Sequence, residues 1–266
     1  MRKRVLIVGK SSYIGKKLEQ YIVEQGLEDT IQVDKISVRN DEWKKIELGN
    51  YDSIVFLSAL VHENGKGKSA KQFKEINSQL PYEFAKKAKK EGCSHFIFFS
   101  SISIYGKECG VITKDTKPSP KTYYGKSKWL AEKYLKKLED HQFCLTIVRP
   151  PMVYGEQCRG NYAKLEKWVH YLPIFPEFDN KRSMVSIQYL SQFVVKCIQD
   201  KKSGIFFPQD SNYHCTSKMV KQIGEKQGKK VYLIRGFQGC ITFLQKRKGS
   251  IGKITNKIFG DLYILE

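Results

Sequence analysis

The run Val5-Leu6-Ile7-Val8-Gly9-Lys10-Ser11-Ser12-Tyr13-Ile14-Gly15 limits the folds open to this chain more than any other stretch. Its four leading residues are Leu or β-branched throughout, as in a strand buried on both faces of a parallel sheet. A glycine turn follows at once. In doubly wound α/β folds such a turn brings backbone amides at a helix N-terminus close to a pyrophosphate, which requires small residues such as Gly9 and Gly15. A structural glycine turn without a ligand is the other reading of this motif taken alone.

The rest of the chain continues the alternation of strand and helix. Leu18, Tyr21 and Ile22 fall at helical spacing between Ser12 and Gln25, and Gly26 is a natural stop. A second strand is predicted within Ile31–Val38, a third over Asp52–Leu57 and a further one over Ser94–Phe99. Phe84, Ala85 and Ala88 line a helix that ends at Gly92. Residues 111 to 122 hold Pro118, Pro120 and several polar side chains, which predicts a loop. Cys144–Val148 reads as another buried strand, stopped by Arg149-Pro150-Pro151.

Just after that loop, Tyr124 and Lys128 stand four residues apart, on one face of a predicted helix. A phenol with an ordinary pKa near 10 exchanges a proton at neutral pH only if a cation stabilises its phenolate, and Lys128 is spaced to be that cation. Tyr124 is thus a candidate general acid or base.

Composition narrows the setting. The chain has 266 residues, a size that permits one or two domains, and a formal net charge of +20, which suits nucleic acid, an anionic membrane surface or a phosphorylated substrate. The lysines are spread along predicted helices without an RNP-like or helix-turn-helix motif, so most of them read as solvated surface and nucleic acid is not an expected partner. Seven cysteines without Cys-x-x-Cys spacing point to reduced thiols and no metal site. No apolar run is long enough to span a membrane, and no signal-peptide core follows Met1-Arg2-Lys3-Arg4, so a cytoplasmic location is expected.

Three segments in this order, the glycine turn, Phe98-Phe99-Ser100-Ser101-Ile102-Ser103-Ile104-Tyr105-Gly106 and Tyr124-Gly125-Lys126-Ser127-Lys128, resemble the extended short-chain dehydrogenase/reductases. These form the NAD-dependent epimerase/dehydratase family, which modifies nucleotide sugars. The resemblance implies a Rossmann-type doubly wound parallel sheet of the α/β class with a small C-terminal substrate lobe. Residues 1–155, with a return segment near 184–200, would form the dinucleotide-binding domain; 156–183 and 201–266 would form the lobe. The usual glycine pattern carries Ser12 at its middle position here, a residue still small enough for close approach.

By the same resemblance, Ser101, four residues before Tyr105, would share the reacting sugar oxygen with Tyr124, and Lys128 would also hold the nicotinamide ribose. Gly9, Lys10, Ser12, Tyr13, Ile14 and Gly15 would meet the cofactor. So would Ser58, Ala59, the Asn77 of Phe73-Lys74-Glu75-Ile76-Asn77, and Pro151. His62 reads as a loop residue. Ser103, Met152, Asn161 and Arg182 would join Ser101 in binding a nucleoside-diphosphate sugar, Arg182 because its planar fork pairs with phosphate oxygens. A homodimer is among the assemblies the resemblance admits.

Cofactor and reaction are open between close alternatives. Arg39, after the second strand, and Lys10 form a basic clamp that favours the 2′-phosphate of NADP, whereas Asp34 or Asp41 as the ribose ligand favours NAD. Ile102 and Ser103 stand where dehydratases of this family carry an Asp-Glu pair, which disfavours 4,6-dehydration. The clamp leans toward a 4-keto reductase that uses NADPH, ahead of a UDP-sugar 4-epimerase that keeps NAD and returns the hydride to the other face. A non-catalytic cofactor-binding scaffold would typically have lost the Tyr or the Lys. The basic, apolar-interleaved tail from Ile241 to Phe259 either packs as helices on the lobe, the preferred reading, or lies on an anionic membrane surface.

Overall fold

The computed structural model describes residues 2–60, 69–158 and 160–265, so His62 lies outside the described residues. The chain begins with β1 (Lys3–Val8), α1 (Tyr13–Glu24), β2 (Ile31–Ile36) and β3 (Ser53–Phe56). Then come α2 (Ala70–Lys74), α3 (Leu80–Lys90), β4 (His95–Phe99), β5 (Gly110–Ile112), α4 (Tyr123–Lys136) and β6 (Cys144–Val148). Next are β7 (Met152–Tyr154), α5 (Asn161–Val169), β8 (Ile174–Pro176), β9 (Met184–Ser186), α6 (Ile187–Asp200) and β10 (Gly204–Phe206). The last elements are α7 (Thr216–Lys226), β11 (Tyr232–Ile234), α8 (Gln238–Lys246), α9 (Ser250–Phe259) and β12 (Leu262–Ile264).

These elements group into two compact units. Residues 1–106, 118–151 and 187–208 form the first; 107–117, 152–186 and 209–266 form the second. The first unit is built on a six-stranded sheet in the order β10-β6-β4-β3-β1-β2, and every pairing in it is parallel. Val5 to Val8 are wholly buried, as two-sided covering requires. Alternate residues of the strands face opposite layers. Leu6, Val8, Ile54, Phe56, Phe96 and Phe98 pack with Phe84 and Ala88 of α3 and Ala131 and Leu135 of α4. On the opposite layer α1 packs against α6, and Gly15 sits so near Ile7 that an added Cβ would lie 3.0 Å from its Cγ2. This is a Rossmann-like doubly wound sheet, and its strand order reverses beside β1, where such folds open a crevice at the carboxyl ends of the strands.

The second unit contains three parallel pairs, β7 with β9, β8 with β11 and β5 with β12. The loop predicted over residues 111 to 122 holds from 113 onward; its first two residues belong to β5, held by a β12 partner from the far end of the chain that no local pattern announces. The predicted tail does form helices, α8 and α9, which pack on each other. Among the described residues no disulfide joins any of the cysteines. Among the described residues, no helix is long and apolar enough to cross a membrane and no cluster of His, Cys, Asp or Glu could hold a metal.

Candidate active site

The glycine turn lies at the carboxyl end of β1. Gly9 has φ +123°, and a Cβ there would stand 3.1 Å from the Ser58 backbone nitrogen, so both conformation and crowding call for glycine. Ser12 caps α1, its Oγ accepting from Gly15 N at 3.2 Å. A third glycine at this position would lose that bond, which gives the departure from the usual pattern a local purpose. The first turn of α1 carries no acidic residue, so the positive end of the helix dipole is left for an anion. This cradle fits the pyrophosphate of a dinucleotide.

Ser58 and Ala59 follow β3 on the same edge. Asn77 is fully buried and lies not at a helix start but in a π-helical turn, Glu75–Gln79, between α2 and α3. Its Oδ1 accepts from Leu60 N at 2.6 Å, and its Nδ2 donates to Leu60 O and to Ser127 Oγ, both at 3.0 Å. Both amide hydrogens are thus used inside the protein. Asn77 ties the segment after β3 that carries Ala59 and Leu60 to the helix that carries Tyr124 and Lys128, and π-turns of this kind often mark functional positions.

Ser101 ends the β4 segment and caps a short 3₁₀ turn, Ile102–Tyr105, its Oγ accepting from Ser103 N at 3.1 Å and lying 2.9 Å from Ser103 Oγ. Helix α4 is set directly on this turn, because a Cβ on Gly125 would stand 2.6 Å from Ser103 O. That close approach brings the Tyr124 hydroxyl into a hydrogen bond with Ser101. Burial pushes the phenol up to about 12, with the Ser101 bond acting in the opposite direction.

Lys128 is 2% exposed and donates from Nζ to Phe99 O at 2.7 Å. Its Nζ lies 4.6 Å from the Phe98 ring centre and 6.0 Å from that of Tyr124. The ammonium is therefore beside the phenol but anchored to the strand end, rather than bonded to the hydroxyl. Burial lowers its pKa to about 7, while the negative Glu132 acts to raise it.

The lowered pKa of Lys128 makes stability depend on pH. In the unfolded chain the amine holds its proton to about pH 10.4, so between pH 7 and that value the unfolded state binds more protons and folding gains as pH rises. One bound proton is worth ~1.4 kcal/mol for each pH step of one across that window. The wild-type protein is expected to gain up to a few kcal/mol from this group over the window, and Lys128→Met to lack the gain. Urea unfolding of both proteins at a series of pH values checks this; parallel curves would remove it.

A second buried group belongs to the site, although the motif reading did not include it. Glu132, fully buried on the α4 face that bears Lys128, receives a bidentate pair from Arg149, Nε to Oε1 at 3.1 Å and Nη2 to Oε2 at 2.5 Å. Arg149 Nη1 also donates to the Tyr105 hydroxyl at 2.7 Å, and its backbone N–H donates to Phe206 O. The network joins the helix of Tyr124 to the turn capped by Ser101. One signal is readable in the sequence, since Glu132 repeats the four-residue spacing after Lys128.

Lys10 and Arg39 are exposed at the ends of β1 and β2, where the backbone amides of Gly9 and Lys10 both donate to Ile36 O. Asp34 lies inside β2 opposite Leu6, and is held by Arg4 at 3.3 Å and by the Tyr51 hydroxyl at 3.0 Å. Asp41 pairs with Lys44 in a 3₁₀ turn. Both carboxylates therefore have protein partners. Pro151 is buried after β6.

The remaining candidates belong to the second unit. Met152 opens β7 and Asn161 is the exposed first residue of α5. Arg182 is mostly buried, bridged through its backbone to His214 and Leu262, and its Nη1 donates to Gly260 O at 2.8 Å. Burial lowers its pKa. Nearby, Asp210 accepts from Tyr154 at 2.7 Å and from Ser186 N at 3.0 Å, and lies 2.8 Å from His214 Nε2.

Comparison with known proteins gives a consistent family. Residues 5–172 match the NAD dependent epimerase/dehydratase family. The chain is 29% identical over 250 residues to a UDP-glucose 4-epimerase of Vibrio cholerae, covering 84% of this chain and 75% of that protein. It is 28% identical over 182 residues to an N-acetyl-alpha-D-glucosaminyl-diphospho-ditrans,octacis-undecaprenol 4-epimerase of Escherichia coli O157:H7, covering 64% of this chain and 54% of that protein. The fold matches a dTDP-4-dehydrorhamnose reductase of Bacillus anthracis in complex with NADP, with a TM-score of 0.73 and 16% identity over 100% of this chain and 91% of that one. It also matches a UDP-glucuronic acid 4-epimerase of Bacillus cereus in complex with NAD, with a TM-score of 0.69 and 18% identity over 96% of each chain.

Proposed function

Because the chain belongs to the NAD dependent epimerase/dehydratase family and is thus an NAD(P)-dependent enzyme, we propose that it carries out oxidation and reduction at carbon 4 of a sugar held on a diphosphate. The observation that supports this most directly is the convergence of Tyr124, Ser101 and Lys128 at the carboxyl edge of the sheet. The bound dinucleotide supplies the hydride acceptor or donor. Tyr124 exchanges the proton of the 4-hydroxyl, Ser101 holds the same oxygen, and the Lys128 charge favours the phenolate when the proton leaves. Gly9, Ser12 and Gly15 hold the pyrophosphate at the start of α1, and Asn77 keeps the strand and helix edges of the site in register.

Within this chemistry 4-epimerisation is the first reading, because both curated relatives carry that name. The carrier is then a nucleoside diphosphate, as in the Vibrio protein, or a polyprenyl diphosphate, as in the Escherichia one. A 4-keto reductase is the second reading, favoured by Lys10 and Arg39 as exposed cations at the ends of β1 and β2.

Dissociation constants for both dinucleotides, on the wild type and on Arg39→Asp, separate the two. An epimerase is expected to bind NAD tightly, to be little affected by the substitution, and to interconvert sugars without net redox. A reductase is expected to prefer NADP at least tenfold, equivalent to ~1.4 kcal/mol, and to lose or reverse that preference in Arg39→Asp.

A further inference from the structure

Between Glu225 and Asp261 the chain has nine cations and no acidic residue. This stretch contains α8 and α9. Their inner sides are secured within the second unit: Ile241 is 5% exposed, Gly252 and Thr255 are buried, and Phe259 stacks on Phe175 at 5.5 Å and meets Phe178 edge-on at 5.6 Å. Gly252 permits the tight junction, since a Cβ there would fall 1.8 Å from Arg247 O.

The outer sides have a different character. Phe243 is 58% exposed, Ile251 59% and Ile254 57%, with Phe237 and Leu244 also exposed. Ile251, Ile254 and Ile258 recur at i, i+3 and i+7, which places them on one side of α9. Among the described residues, Lys246, Arg247, Lys248, Lys253 and Lys257 form no salt bridge, and the Arg247 guanidinium lies 4.7 Å from the centre of the exposed Phe243 ring.

We propose that the α8–α9 hairpin is a docking surface for an anionic lipid bilayer, with the exposed Phe and Ile side chains entering the headgroup boundary and the cations meeting lipid phosphates. Large apolar side chains set among cations of the α8–α9 hairpin that form no salt bridge, in a stretch without an acidic residue, are the pattern of interfacial helices. The long Lys and Arg side chains can bury their stems and keep their charges at headgroup level. Nucleic acid would satisfy the cations, but its phosphates are met by polar groups and would leave the row of exposed isoleucines uncovered. A second copy of the same surface would bring like charges together. The two expectations for this tail are therefore compatible: its inner sides pack as helices on the second unit, and its outer sides remain for the membrane.

The test uses the whole protein in flotation with vesicles of phosphatidylcholine alone and of phosphatidylcholine mixed with phosphatidylglycerol. Flotation is expected only with the mixed vesicles and to weaken as salt is raised. Ile251→Ser with Ile254→Ser is expected to lower partitioning by roughly tenfold or more, with thermal unfolding and turnover of a water-soluble substrate unchanged. Lys246→Glu with Lys248→Glu is expected to abolish the preference for phosphatidylglycerol. Three results would overturn the proposal: no flotation with mixed vesicles, flotation indifferent to the isoleucine pair, or DNA binding or dimerisation through this surface in place of flotation.

Discussion

Tyr124→Phe is expected to lower turnover by on the order of a hundredfold or more while leaving dinucleotide affinity within about twofold. The phenylalanine ring keeps the packing at the start of α4, and Ser101 keeps its bonds to Ser103, so only the exchangeable proton is removed. Burial pushes the phenol up to about 12, so at neutral pH it is fully protonated, ready to donate, and becomes a base only when positive charge beside it rises. Lys128, lowered to about 7, is the group that can supply that charge. Steady-state kinetics alongside cofactor titration decides the matter, and near wild-type turnover in Tyr124→Phe would remove the acid–base assignment.

Arg149→Met is expected to cost about 3–5 kcal/mol of stability, because it removes the bidentate partner of the fully buried Glu132 carboxylate. The double variant Arg149→Met with Glu132→Leu should recover most of that loss, since neither buried charge then remains and the volume is nearly filled. Denaturant unfolding of the two single variants and the double variant measures the coupling. Additive losses would show that the pair is not an energetic unit. The double variant also reports on catalysis: without Glu132 the effect of burial on Lys128 loses its counterweight, so the pH profile of turnover should move. A merely structural pair would change stability and leave that profile in place.

Local sequence was enough for the architecture of the first unit. Val5–Val8 and Phe96–Phe99 are apolar without alternation, and Leu145–Val148 departs from that only at Thr146; a sheet covered on both faces accepts such strands. Gly9 and Gly15 were legible for a similar reason, since positive φ and close backbone approach admit few other residues. The Tyr124–Lys128 spacing by itself puts both groups on one helical face. Tertiary structure decided what those groups do there. Lys128 Nζ is committed to Phe99 O, a partner 29 residues away, and Asn77 spends its amide on Leu60 and Ser127 rather than standing free at a helix start. Glu132 and Arg149 pair across α4 and the end of β6, and β5 exists only because β12 returns beside it. Patterns of period and turn chemistry are carried by neighbours in the chain, so sequence determines them; buried polar partners are chosen by whichever distant groups desolvation leaves within reach, and that is settled only when the chain has folded.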